Sequence, residues 1–405
     1  MQPRRRRSRA AAFPLAAALS LTGLAGCESP VPFYRPGEGT PDDPVVGLGG
    51  PAPYLPSRPG GPAPRASGSG TPRGVPVAPA GGQVYAATGP GMLAPAARGL
   101  PPRLYVPNGP FVDVLDPTGL RLAGRLLTGA TASRVVPSWD LRRLWATDRA
   151  HGLLVPLAPR TGRRGRPVGI TAPTGLYFSP DGRDALVLAR RPDRLDLRDP
   201  RTMAPRATTP LPCAAGHADF TPDEASLVAT CTAAGVLARV HLASRTVSGT
   251  IRLPAGARPG DLRLSPDGSA FYVADARQGG VWLVDARRFA LLGFVRTGRG
   301  ARGLAISRDA RRLFVVGRGD VTAVEFGSRR IASRWPLPGG GPADPGGVSS
   351  DGRSLWLADP AGLVYALSTR NGRVLQSIRI GGRPAGPCVH PQPGRYSLGG
   401  TGLYR

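Results

Sequence analysis

Four histidines, four cysteines and no lysine set the chemical vocabulary of this 405-residue chain. All 53 basic residues are arginine, so no Schiff-base lysine, phosphate-loop lysine or Ser-Lys pair can operate. The histidines, His151, His217, His241 and His390, stand far apart. No H-E-x-x-H or comparable ligand spacing occurs, and neither a metal nor a cofactor is expected. There is no C-x-x-C pair and no G-x-S-x-G elbow. What remains for chemistry is a scattered set: His217 as a candidate general base, with Asp261 and Arg302 as catalytic candidates beside it. These residues lie 44 and 41 positions apart, so only a repeating architecture can gather them.

The repeat is visible. Short polar corners recur at Ser138 (SWDL), Ser179 (SPDG), Thr221 (TPDE), Ser265 (SPDG), Ser307 (SRDA), Ser349 (SSDG) and His390 (HPQP), with gaps of 41, 42, 44, 42, 42 and 41 residues. A period near 42 is that of a four-stranded propeller blade. The tetrapeptide suits a type I turn, with Asp at its third place bonding nearby backbone. Asp140, Asp181, Asp223, Asp267, Asp309 and Asp351 fill that place and read as architecture, not as acid catalysts.

Strands follow each corner in order. An apolar strand precedes it (GLYFS, DLRLS, GLAIS) and a second begins about six residues after it (ALVLA, FYVA, LWLA). A third (RLDL, GVWLV, LVYAL) and a fourth (VSGTIRL, LLGFVRT, RVLQSIRI) complete the unit. Four antiparallel strands joined by hairpins make a blade, so the predicted fold is all-β, a seven-bladed β-propeller. The segment at Pro387–His390 is expected to supply the inner strand of the blade begun by RLYVPNGPFVDVLDPTG and so to close the ring. An eighth blade, built from GGQVYAATG at 81–89 and the C-terminal YSLGGTGLYR, is the alternative.

FYVADARQGGVWLVDARR, VDVLDPTG and the SPDG corners resemble the YVTN family of seven-bladed propellers, also called lactonase-like or YncE-like. The likeness spans roughly residues 100–395. It implies the fold and leaves function open, because such propellers host enzymes, adhesins and proteins without activity.

In a propeller the residues four before each corner begin the inner strands at one axial mouth, and those ending the second strands lie close by. This places Arg134, His217 and Asp261 with Asp148, Asp275 and Asp359, and Arg302 and Asp344 one position further out. The set forms a candidate polar-ligand ring. Asp148, Asp275 and Asp359 read more simply as turn residues capping strand ends. The Gly-rich runs GRGARG, PGGGPADPGG and GGRPAG precede strands and not helices, and read as blade-to-blade crossings, not phosphate cradles.

Cys213 precedes the inner strand of one blade and Cys231 ends its antiparallel neighbour, a spacing that allows an intrablade disulfide outside the cytoplasm. Cys388 is left as a core thiol. Met1–Arg9 carries five arginines and no acid, and an apolar run follows, as in a secretory signal. Leu24-Ala25-Gly26-Cys27 resembles the bacterial lipobox, which implies cleavage before Cys27, transfer of a diacylglycerol to its thiol and further acylation of the palmitate kind. The expected organisation is a signal peptide over 1–26, a Pro/Gly-rich tether over 27–82 and the propeller over 83–405.

The formal charge is +27, and loss of five arginines with the signal leaves 27 − 5 = +22. Arginine without lysine reads first as a GC-rich genome's codon usage and second as an anion-binding surface. The expectation is a monomeric, exported lipoprotein, anchored to the cell membrane or outer membrane and acting as a binding or scaffold module for an envelope protein or acidic glycan. A lactonase-like hydrolase with its site at the axial mouth is the alternative. No recognition motif supports nucleic acid as a partner.

Overall fold

A computed structural model describes residues 99–129 and 131–391. These form seven four-stranded antiparallel sheets. Blade II is β4 (Ala132–Pro137), β5 (Leu144–Asp148), β6 (Leu153–Leu157) and β7 (Val168–Gly169). Blade III is β8 (Pro173–Phe178) to β11 (Pro205–Pro210), and blade IV is β12 (His217–Phe220) to β15 (Thr246–Arg252). Blade V runs from β16 (Pro259–Leu264) to β19 (Leu291–Arg296), and blade VI from β20 (Gly303–Ile306) to β23 (Ile331–Pro336). Blade VII runs from β24 (Asp344–Val348) to β27 (Val374–Arg379). Blade I is composite: β1 (Arg103–Asn108), β2 (Phe111–Asp116) and β3 (Arg121–Leu127) receive β28 (Cys388–His390) as inner strand. The register Leu104↔Val389 and Tyr105↔Cys388 fixes the closure. Seven blades are thus the answer, and the segments offered for an eighth lie outside the described residues.

The corners build themselves as their composition dictates. In each of six corners the Ser or Thr hydroxyl donates to the Asp two residues on, as Ser179 Oγ does to Asp181 at 2.6 Å. That Asp accepts the N–H two residues further on, as from Arg183, and the hydroxyl oxygen accepts the one after, as from Asp184, just before the next strand begins. The fourth residue takes positive φ, which is why glycine stands there in three copies (Gly182, Gly268, Gly352). Leu141, Glu224 and Ala310 adopt the same conformation without that freedom.

Burial follows from stacking wedges. Second strands are covered on both faces by neighbouring blades; every residue of β13 (Ser226–Cys231) and β17 (Ala270–Asp275) is buried. Outer strands alternate, because the wedges diverge with distance from the axis; β15 is the clearest case. Between blades the apolar side chains interlock, Leu186 and Leu188 of blade III clustering with Phe220 and Leu227 of blade IV. Cys213 and Cys231 are disulfide-bonded, with Cα atoms 5.8 Å apart, and Cys388 is a free, buried thiol.

Candidate functional site

The inner strands all begin at the same end of the axis, and six of the seven blades wall a cavity of about 420 Å³ there. The room comes from small residues on three blades. Gly303, Pro345 and Gly386 occupy the ring position in blades VI, VII and I. A Cβ on Gly303 would stand 2.4 Å from Pro345, and one on Gly386 would meet the Pro345 carbonyl at 2.7 Å, so these strands approach closely only without side chains. Opposite them, blades II, IV and V put Arg134, His217 and Asp261 into the wall.

Of the eight ligand-ring residues expected from the sequence, five line this cavity: Arg134, His217, Asp261, Arg302 and Asp344. Asp148, Asp275 and Asp359 do not. Asp148 accepts the backbone N–H groups of Thr131, Ala150 and His151 and pairs with the His151 ring at 2.6 Å. Asp275 accepts those of Arg258, Arg277 and Gln278 together with the Trp282 indole. Asp359 accepts from Ala361 N–H. Their carboxylates are spent on turns.

Asp261 does a related job in a deeper place. The innermost strand of a blade has one row of N–H groups with no strand beyond it. Asp261 reaches across to the next blade and accepts such a donor, Leu304 N–H, at 3.0 Å. Asp219, on β12, does the same for Leu264 N–H at 2.8 Å, and the Tyr177 hydroxyl accepts from Ala218 N–H at 2.9 Å. The inner strands are thus stapled blade to blade by side chains.

Beneath the mouth lies a fully buried cation. Arg263 Nη1 is 2.9 Å from Asp261 Oδ1 and donates to the Leu262 carbonyl at 2.7 Å, while its Nε and Nη2 have no partner. Burial pushes the Asp261 carboxyl up, but the Arg263 guanidinium, the His217 ring and the Leu304 N–H together outweigh it and the net direction is down. Asp261 stays ionised as the counter-charge of Arg263.

His217 stands between opposite influences. Its Nδ1 is 3.4 Å from Asp261 Oδ1. Arg134 Nη2 lies 3.4 Å from Nδ1 and 3.0 Å from Nε2, and a position near both ring nitrogens is over the ring face, not on a lone pair. Burial first, and the Arg134 charge second, push the imidazole's affinity for a proton down. The ring is neutral at physiological pH, and the cavity offers it no activated nucleophile. The Ser133 hydroxyl donates to the Thr147 carbonyl, and the Thr232 hydroxyl to that of Pro259. Among the described residues no group of three His, Cys, Asp or Glu is arranged to hold a metal ion.

Charge bookkeeping then favours an anion. Arg302 pairs with Asp344 at the rim, and Asp261 is matched by Arg263. Arg134 and Arg258 have no acidic partner among the described residues, and Arg134 Nη1 is buried with no acceptor. Sequence reading missed Arg258, Asp219, Tyr177 and Arg263. The last three stand two residues after ring positions Gly175, His217 and Asp261, on the same strand face, and that period of two was the available signal.

No family model matches the chain, and no curated protein matches it. Solved structures do. A functionally unknown protein from Desulfotomaculum acetoxidans DSM 771 is similar at a TM-score of 0.62 and 14% identity, over 72% of this chain and 99% of that one. Dihydro-heme d1 dehydrogenase NirN, solved in complex with DHE, is similar at a TM-score of 0.55 and 16% identity, over 74% of this chain and 78% of that one. At such identities the likeness is one of fold alone.

Proposed function

We propose that this protein is a non-enzymatic binding propeller whose axial mouth takes an anionic group, a carboxylate or phosphate, of an envelope ligand or partner. The observation that carries the reading is Arg134, whose Nη1 is buried on the cavity wall without an acceptor among the described residues, while Arg258, on the same cavity's wall, lacks a counter-ion among them. A buried guanidinium donor left unmade is costly, and an incoming oxyanion removes that cost. The propeller similar to NirN, a protein solved with a ligand, is compatible with a binding role and lends nothing finer. The reading includes membership among the YVTN-type propellers, export, and anchoring through acylated Cys27, on the strength of the sequence motifs above.

The test is a crosslinking pull-down from intact envelopes with the wild type and with Arg134→Gln/Arg258→Gln. A partner captured by the first and lost by the second supports the reading; equal capture overturns it. Cys27→Ser should release the protein from the membrane fraction, and a variant that still partitions with lipid refutes the anchor. The second reading, a lactonase-like hydrolase, has one observation behind it: the contact between His217 and Asp261. It predicts lactone turnover that Arg302→Gln or His217→Asn abolishes in a folded protein. Absence of turnover in the wild type removes it.

A further inference from the structure

Blade II departs from its siblings at the rim. Its outer strand β7 has two residues, where the outer strands of the other blades have six or seven. The cause is local. Pro156, on β6, has no N–H to give at the hydrogen-bonded place opposite Arg166, so the ladder stops at Leu154↔Val168 and resumes only at the isolated pair Leu157↔Arg164. Gly165, Arg166 and Pro167 interrupt the ladder, and Gly165 N–H donates to the Pro156 carbonyl across the gap.

Beside this interruption lies a groove of about 560 Å³, lined by Trp145 and bounded by the blade III turn that carries Arg201 and Thr202. Six arginines line it, Arg142, Arg143, Arg163, Arg164, Arg166 and Arg201, and no acid does. All six are exposed, and none makes an ion pair among the described residues. Arginine abundance alone does not produce this. The comparable groove between blades VI and VII carries four arginines with Asp309 and Asp351 among them. A second observation points the same way: the Trp145 indole N–H is buried with no acceptor. Arginine and tryptophan side chains only donate. The polar side chains of the groove are therefore donors, apart from the Thr161 and Thr202 hydroxyls, which can also accept.

We propose that this groove binds a phosphate-bearing linear anion, a polyphosphate-like chain, at a site separate from the axial mouth. Guanidinium forks match phosphate oxygens in pairs, and several in a row match phosphates at short spacing. The concave shape fits a chain or head group and not a flat bilayer. Nucleic acid is disfavoured because no exposed aromatic side chain lines the groove to stack a base; Trp145 is buried.

The test uses the full protein and inorganic tripolyphosphate, by titration calorimetry at physiological salt. Arg164 donates to the Thr128 carbonyl and Arg143 to that of Arg201, so both are left in place. The triple variant Arg142→Gln/Arg163→Gln/Arg166→Gln should weaken binding at least about tenfold. The charge-matched control Arg312→Gln/Arg353→Gln/Arg370→Gln, in the groove between blades VI and VII, should weaken it less than about threefold if only diffuse attraction is lost there. Thermal melting confirms that both variants fold. Equal loss in both variants reduces the effect to net charge and overturns the proposal. So does absence of binding by the wild type, tighter binding of a single-stranded oligonucleotide of equal charge, or binding to phosphatidylglycerol vesicles without binding to tripolyphosphate.

Discussion

Ring closure should be sensitive to acid, and the residue responsible is His390. It ends the closing strand β28 at the place where six other blades carry the Ser or Thr of their corner. Both ring nitrogens are buried without partners among the described residues, and the ring packs edge-on against Tyr105 with centroids 5.7 Å apart. Burial alone pushes its pKa from 6.5 down to about 4. The folded protein therefore resists protonation that the unfolded chain accepts. Between those two values the unfolded state binds more protons, so stability is full above about pH 6.5 and falls as pH drops towards about pH 4. A shift of this size corresponds to about 3 kcal/mol in full, of which about 2 kcal/mol is lost between about pH 7 and pH 4.5. His390→Phe keeps a ring against Tyr105, removes two unpaired nitrogens and abolishes the titration. Urea unfolding of both proteins at the two pH values isolates the effect, because carboxylates and His217 titrate in both. The variant should be the more stable at pH 7, and the gap should widen by about 2 kcal/mol in acid. A gap that does not change with pH would refute the claim that the closing strand holds a neutral histidine.

Asp261→Ala should cost about 3–5 kcal/mol in chemical denaturation, since it orphans both buried Arg263 and Leu304 N–H; a loss under about 1 kcal/mol would show that the blade-to-blade staple is not structural. Replacing Cys213 and Cys231 by serine opens a loop whose ends are 18 residues apart, and should cost about 3 kcal/mol by the chain-entropy rule, read as a lower urea midpoint. Ser265→Ala removes a hydroxyl that donates to Asp267 and accepts Ala270 N–H, at about 1–2 kcal/mol, whereas Ala310→Gly relieves a positive φ and should raise the melting temperature slightly.

Much of the site's address was readable and little of its meaning was. Counting four residues back from each corner reached Arg134, His217 and Asp261, and the cavity gathers all three. The same counting could not tell a wall residue from a staple. Asp261 looked like a catalytic partner, yet its oxygens face a buried arginine and a strand-edge N–H of the next blade. Asp148, Asp275 and Asp359 were drawn into the ring by position, and the structure turns them onto backbone amides. Arg258 lies on a blade-to-blade crossing and has no periodic position to betray it. The short outer strand of blade II could have been suspected from Pro156 in the strand beside it, but its arginines acquire a shared groove only when blade III is packed alongside.

The sequence by itself determined the blade: the corner's Ser-x-Asp chemistry, the apolar strands and the near-constant period are local, and local interactions repeat wherever the residues do. It also pointed to seven blades with eight as the alternative, because a C-terminal strand without a partner matched an N-terminal blade lacking an inner one, and the pairing of β28 with β1 settled the count. Only the tertiary structure decided which side chains share a space. Residues more than forty positions apart meet at the axis through ring closure, and whether a carboxylate there faces water, a guanidinium or a bare N–H depends on the neighbouring wedge. That environment, set by packing and not by residue type, fixes the charge each group carries and therefore what the site can hold.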